Sequence, residues 1–127
     1  MIEEHGESTI IFRNSVIHIT LKGAFNELGA KNFSKKSKEI ISTFSHKRFM
    51  VLVNLLDLEG ATPEAFNESN EFNKWLNKYK MIAKAIVITS QVIKSIDQHW
   101  VPAQAVQNIE YFEHESDAMN WLDTFCC

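Results

Sequence analysis

The amino-acid sequence predicts an α/β fold: a single domain over residues 1–127, with the element order ββαβαβαβα and a mainly parallel five-stranded sheet. Segments with the alternation of β-strands take turns with segments that have the apolar spacing of helices, which indicates crossovers between parallel strands. Residues 49–56 are almost entirely apolar, as in a strand buried on both faces of a parallel sheet. The 127 residues, 45% of them hydrophobic, are enough for one core without disulfides or metal.

The N-terminal part of the chain predicts a β-hairpin. Two β-rich runs, 9–12 and 16–21, are separated by the turn-forming residues 13–15. The alternation in the second run predicts one buried face and one wetter face, and His18 belongs to the wetter face. We expect this second strand to end near Lys22-Gly23, and the first strand to pair with it antiparallel at an edge of the sheet.

The middle of the chain predicts two helices on either side of the central strand. Residues 27–44 carry an apolar stripe at helical spacing, and residues 48–57 form the central strand. Thr62 followed by Pro63 has the pattern of an N-cap and a first helical position. A second helix is therefore expected from Thr62 to about residue 79.

The C-terminal part repeats the strand and helix pattern. Residues 84–89 predict a strand, and the helix that follows it is terminated with the help of Pro102. Residues 109–112 predict the last strand, and Ser116 predicts the N-cap of the last helix. The apolar stripe of the helix before Pro102 consists of Val92, Ile93, Ile96 and Trp100.

The composition of the chain indicates a cytoplasmic protein without a membrane span. The first residues are acidic rather than basic, and no apolar run approaches the roughly 20 residues that a transmembrane helix needs. Cys126 and Cys127 are adjacent, which is poor geometry for a disulfide between them, so we expect a reducing compartment. These two cysteines fit either a frayed chain end, which we favour, or a thiol pair with a redox or metal-binding role.

Residue patterns for catalysis, metal ions and cofactors do not occur in the sequence. Thirteen Lys and Arg against 16 Asp and Glu give a net charge of −3, the reverse of the basic balance of nucleic-acid binders. The five histidines are scattered without the spacing of metal ligands, and the chain has no nucleophile elbow. We therefore expect a protein without enzymatic activity, catalytic residues, metal, cofactor or nucleic-acid partner.

The closing segment, residues 111–122, carries a family resemblance. It combines an aromatic strand, an acidic or polar N-cap region and the pattern Ala118-x-x-Trp121-Leu122. Together with the order of elements, this segment resembles the SpoIIAA-like, or STAS-like, family over nearly the whole chain. The resemblance implies a superhelix of β-α turns with helices largely on one face of the sheet. It also implies some similarity to lipid-carrying CRAL-TRIO domains.

The same resemblance implies a regulatory function. Well-known relatives are bacterial anti-sigma factor antagonists, in which a serine at the start of the helix after the central strand is phosphorylated to switch partner binding. Their loop carries a motif of the type Asp-Ser-Ser-Gly, whereas residues 57–63 of this chain lack that motif and offer only Thr62 near the position. We expect Thr62 to be a plain N-cap and partner binding to be independent of phosphorylation.

The leading hypothesis is a regulatory module that binds a protein partner. The resemblance, together with the missing catalytic patterns, assigns partner binding to the loop after the central strand and to the helix it opens. The proposed contact residues are Asp57, Glu59, Gly60 and Thr62.

Three other hypotheses about the protein remain open. A carrier or sensor of a small apolar, lipid-like ligand would use a groove bordered by Trp75 and Trp100, since large aromatic side chains at the margin of a helix stripe can line such a groove. An enzyme would need titratable residues such as Asp57, Glu59 and His99 to converge in space. If helices cover one face of the sheet, the other face has apolar area that a homodimer can bury.

Overall fold

Six strands and four helices make up the computed structural model, which describes residues 3–44 and 47–125. The predicted alternation of strands and helices is confirmed, with one additional strand. In chain order the elements are β1 Glu7–Arg13, β2 Val16–Phe25, α1 Glu27–Ile41, β3 Phe49–Asn54, β4 Leu58–Ala61, α2 Pro63–Leu76, β5 Met81–Val87, α3 Gln91–Trp100, β6 Ile109–Phe112 and α4 Glu115–Asp123. Short 3-10 turns occupy Ser42–Phe44 and Pro102–Val106.

The strands form one sheet in the order β1-β2-β3-β5-β6, and β4 pairs with the end of β2. β1 is antiparallel to β2 at the edge, and the other pairs are parallel, as predicted. Each crossover moves one position in the same direction, so right-handed connections place α1, α2 and α3 on the same face. α4 follows the last strand and packs on the opposite face, so three of the four helices share one face.

The core lies on both faces of the sheet. On the face under α1 and α2, Ile17 and Val51 belong to one buried cluster with Leu76 of α2. On the opposite face, Leu52 packs in a second cluster with Leu122 of α4. Since β3 contributes to both clusters, its prediction as the central strand buried on both faces is confirmed.

The end of β2 differs from the prediction. The strand continues through Gly23 to Phe25, and its register shifts at Gly23, whose φ of 81° lies in the left-handed region that glycine tolerates. The extension pairs with β4, so the sheet has six strands rather than five. The segment predicted as a loop after the central strand therefore contains a short edge strand.

The helix start agrees with the prediction at α2 and differs at α4, while α2 ends at Leu76, about three residues before the predicted end near residue 79. Thr62 caps α2, and the hydroxyl Oγ accepts a hydrogen bond from the backbone N of Ala65 at 3.1 Å. The prediction that Ser116 caps the last helix is wrong. With Ser116 as its N-cap the helix would begin at Asp117, but α4 begins two residues earlier, at Glu115, so Ser116 lies inside its first turn and His114 occupies the cap position.

Cys126 and Cys127 lie outside the residues that the structure describes. In the described ranges 3–44 and 47–125, no helix combines the length and the apolar character that crossing a bilayer requires.

Candidate functional site

The segment from the end of β3 to the start of α2 forms an exposed edge of the molecule. Asp57, Glu59 and Thr62 are all exposed there. The segment is tied to β2 by two backbone hydrogen bonds: Gly23 N donates to Asp57 O at 3.0 Å, and Thr62 N donates to Phe25 O at 3.0 Å. Of the predicted contact residues, Glu59 and Gly60 therefore lie on the short strand β4, and Asp57 and Thr62 lie directly before and after it.

The start of α2 adds an electropositive helix end to this edge. Pro63 occupies the first turn and leaves no N–H to satisfy, and Glu64 follows it in the same turn. The acidic side chain at the N-terminus interacts favourably with the helix dipole. Thr62 is thus positioned by its capping bond, as the sequence predicts.

A cavity of about 340 Å³, here called the outer cavity, opens between β4, α2 and α3. Trp100 of α3 and Phe66 of α2 lie on its wall, with their rings stacked at a centroid distance of 5.7 Å. Glu59 also lines it, so the exposed edge and the outer cavity share a wall. The outer cavity has the volume of a site for a small molecule.

The two tryptophans that were assigned to one groove lie apart. Trp100 lines the outer cavity and is 46% exposed. Trp75 packs instead between Phe72 and Tyr79, with ring centroids at 5.9 and 4.5 Å, and the Lys38 ammonium lies 5.5 Å from its ring. Trp75 therefore belongs to the packing of α2 against the sheet and α1.

The helix α3 forms the outer wall and is lightly packed. Every residue of α3 is at least partly exposed, although its apolar residues follow a helical stripe. Ile93 and Ile96 face the outer cavity, whereas Val92 is 67% exposed. The apolar face of α3 thus covers the outer cavity, and its one contact with a buried cluster among the described residues is that of Ile93 with Leu55, Ile86 and Ile88.

Two smaller cavities lie deeper, between the sheet and the helices. The middle cavity has a volume of about 80 Å³, and the inner cavity has a volume of about 60 Å³. Leu55 and Asp97 line both of them and the outer cavity as well. The three cavities are therefore neighbours around one carboxylate.

A buried lysine lies at the wall of the inner cavity. Lys84, in the middle of β5, is only 3% exposed. Its ammonium Nζ donates to Asn73 Oδ1 at 2.7 Å and to Gln104 Oε1 at 3.0 Å. Burial lowers the pKa of Lys84 to about 7, and the negative charge of Asp97 opposes this shift.

The lysine is connected to Asp97 through an amide. Gln104 Nε2 donates to Asp97 Oδ2 at 2.9 Å, and the hydroxyl of Tyr111 donates to the same oxygen at 2.9 Å. Burial raises the pKa of Tyr111, and the charge of Asp97 and its hydrogen bond raise it further. The arrangement is a polar network inside an otherwise apolar region.

The residues named for an enzymatic reading do not line one site. Glu59 lines the outer cavity, Asp57 is exposed at the edge, and His99 packs against the ring of Trp100 at 5.5 Å. Across the described parts of the chain, His, Cys, Asp and Glu form no group of three that could hold a metal ion.

The comparisons with known proteins agree with this architecture. The chain belongs to the SpoIIAA-like family, whose model matches residues 16–123. The resemblance found in the closing segment is therefore confirmed. No curated protein matches the chain.

Two solved structures share the fold. An uncharacterized protein with a SpoIIAA-like fold from Shewanella loihica PV-4 has a TM-score of 0.70 and 12% identity, with 96% of this chain and 98% of that one covered. An anti-sigma factor antagonist from Mycobacterium paratuberculosis has a TM-score of 0.67 and 9% identity, with 94% and 95% covered. At these identities the likeness supports the fold, which confirms the predicted α/β class.

Proposed function

We propose that the protein is a regulatory module without enzymatic activity, which binds a protein partner through residues 57–62 and the start of α2. Family membership and the fold shared with an anti-sigma factor antagonist support this proposal. The main observation in support of partner binding is the exposed edge itself. Its side chains are free to contact a partner, while β4 holds its backbone against β2.

The charge of this edge defines the kind of partner. Residues 49–73 contain five acidic residues and neither lysine nor arginine. Asp57, Glu59 and Glu64 are exposed near the edge. A partner with a basic surface patch is complementary to it, and such complementarity raises association rates. Thr62 acts as the N-cap of α2, and partner binding does not depend on its phosphorylation.

The test is native mass spectrometry of the protein purified gently from its own cells. The Asp57→Lys/Glu59→Lys variant is expected to lose the co-purifying partner. A matched control, Glu39→Lys/Asp123→Lys, changes the net charge equally at two exposed positions away from the edge and is expected to retain it. Retention by both variants would remove the assignment of this edge.

We further propose that the module acts in the cytoplasm and as a homodimer. The presence of only two cysteines supports a reducing compartment. Exposed apolar side chains on the edge strand β1, Ile11 and Phe12, support association of two copies. Fractionation of the native cells tests the compartment: recovery outside the soluble cytoplasmic fraction would contradict it.

A second candidate function is a carrier or sensor of a small apolar ligand. The outer cavity supports it, because its volume of about 340 Å³ and its lining of Phe66, Ile93 and Trp100 suit an apolar molecule. The same mass spectrometry would show an added mass of a few hundred daltons.

A variant that fills the outer cavity tests this candidate, and a second variant on the exposed side of α3 is its matched control. Ile96→Trp places a large ring at a position that lines the outer cavity and is expected to abolish the added mass. Val92→Trp adds the same ring to the exposed side of α3 and is expected to retain it. An equal loss in both variants would contradict binding in the outer cavity.

A further inference from the structure

The inner cavity has a polar end inside apolar surroundings. Lys84, Asn73, Gln104 and Asp97 line it at one side, and the remaining wall is mostly aliphatic and aromatic. A lysine in the middle of a strand between two neighbours is costly to bury, and an apolar residue of similar volume would avoid that cost. The position of this charge beside a cavity points to a role in binding a ligand there.

The charges at this end select against ionic ligands. Lys84 is linked to Asp97 through Gln104, so its ammonium and the carboxylate balance each other. When Lys84 is neutral, the carboxylate remains. When Lys84 is charged, an anionic group of a ligand adds a negative charge that nothing balances. When Lys84 is neutral, the carboxylate of Asp97 repels that group. A cationic group would compete with the lysine. An uncharged ligand fits both states.

The hydrogen bonds that remain at this end favour a hydroxyl group. Lys84 Nζ uses two N–H groups on Asn73 and Gln104. Its third position is an N–H in the ammonium form and a lone pair in the neutral form. A hydroxyl group can accept a hydrogen bond from the N–H of the ammonium form and donate one to the lone pair of the neutral form. A carbonyl group can only accept. Among the described residues, Asp97 Oδ1 receives no hydrogen bond and is a second acceptor.

We propose that this polar end binds the hydroxyl group of an uncharged, otherwise apolar ligand, with Lys84 as its hydrogen-bonding partner. The proposal rests on the second candidate function, binding of an apolar ligand. The apolar part of the ligand lies in the middle and outer cavities, which share Asp97 and Leu55 with the inner one.

Three six-carbon probes test the proposal on the full chain. Hexanol, hexanoate and hexyl fluoride have similar apolar parts and differ in the polar end. Calorimetric titration at neutral pH is expected to give hexanol an affinity about tenfold higher than either of the others, which corresponds to one hydrogen bond. Equal affinities, or tighter binding of hexanoate, would overturn the proposal and leave the carrier function standing. Failure of all three to bind would remove both.

Two variants locate the preference at the polar end. Lys84→Met keeps a side chain of similar length and is expected to bind hexanol and hexyl fluoride equally. Asp97→Asn removes the negative charge and is expected to improve hexanoate relative to hexanol. A tenfold preference for hexanol that persists in Lys84→Met would contradict the role of the lysine. The selectivity of the unmodified protein remains a test even if a variant fails to fold.

Discussion

At the residue scale, Thr62 has a role that its local sequence defines. Its hydroxyl satisfies one of the free N–H groups at the start of α2, at 3.1 Å from Ala65 N. Thr62→Ala is expected to lower the free energy of unfolding by about 1 kcal/mol. Urea denaturation measures this, with Thr62→Ser as the control that keeps the hydroxyl. Equal stability of the alanine variant would show that the capping bond contributes nothing.

Lys84 makes the stability depend on pH. Burial lowers its pKa from 10.5 in the unfolded chain to about 7. Between these values the unfolded chain holds a proton that the folded protein lacks, so the free energy of unfolding rises with pH. The slope is at most about 1.4 kcal/mol per pH unit. From about pH 10, the ordinary pKa of a tyrosine, Tyr111 has the opposite effect, because its pKa is raised and the folded protein keeps the proton longer.

The measurement is urea denaturation at a series of pH values from about 7 to about 9. The midpoint is expected to rise in the unmodified protein and to rise much less in Lys84→Met, which has no titrating group at position 84. A midpoint that falls or stays constant in the unmodified protein would contradict burial of a titrating lysine.

The difference between these two residues shows what sequence can predict. Thr62 and Pro63 are neighbours in the sequence, so their pattern alone was sufficient to predict the start of α2. The sequence pattern places Lys84 at the first residue of its strand, whereas the strand begins at Met81 and has the lysine in its interior. Its partners Asn73 and Gln104 are 11 and 20 residues away on other elements. The signal was a charged residue on the same alternating face as Ile86, but nothing local identified its partners.

At the scale of single elements, the hairpin turn between β1 and β2 carries strain. Asn14 and Ser15 have φ values of 53° and 66°, in the left-handed region that costs a residue with a Cβ about 1 kcal/mol. Ser15→Gly is expected to raise the free energy of unfolding by about 0.5 kcal/mol, since Asn-Gly suits such turns. Ser15→Val serves as the opposite control and is expected to lower it. Denaturation of the three proteins measures both effects, and a glycine variant less stable than the original would contradict the turn geometry.

The helix α3 should open more easily than the other helices on its face. Each of its residues is at least partly exposed, whereas α2 buries Phe72 and Leu76. Segments that bury little apolar area open locally at low free energy. Amide hydrogen exchange is expected to be faster in α3 than in the middle of α2. Equal protection of the two helices would contradict this ranking.

Element boundaries were less predictable than element types. β4 has four residues, and its pairing with β2 joins positions more than 30 residues apart, such as Gly23 with Leu58. Neither the short strand nor the continuation of β2 has a periodicity that distinguishes it from a loop. The predicted start of α4 is two residues too late because Ser116 is a good cap in isolation, whereas the chain already turns into the helix at Glu115.

At the scale of the whole molecule, the alternation of strands and helices determined most of the architecture. Right-handed crossovers that proceed in one direction along the sheet fix the order of the strands and the common face of three helices. Trp100 was expected to border a groove and lines the outer cavity, but the position and size of the cavities could not be predicted, because they depend on how far α3 stands from the sheet. The apolar stripe of α3 gives the same pattern over a packed core and over a cavity.

The face of the sheet opposite α1 and α2 leads to a prediction about assembly. α4 covers Leu52 and Ala85 there, while Ile11 of β1, which pairs with His18 on that face, is 52% exposed. Burial between β-strands lowers the pKa of His18, and Arg13 lowers it further, while Glu115 partly opposes both. This histidine is therefore largely neutral at pH 7, which makes the strip easier to bury against a second copy.

We expect light scattering coupled to gel filtration to give twice the mass of the chain, because two copies can bury the strip around Ile11. Ile11→Lys puts a charge on this edge strand and is expected to give a monomer, since a buried unpaired charge opposes association. Val92→Lys places the same charge on a residue of α3 that is also exposed and is expected to leave the dimer intact. A monomeric unmodified protein, or dissociation in both variants, would contradict this interface and leave the exposed apolar residues of β1 without the partner we assign to them.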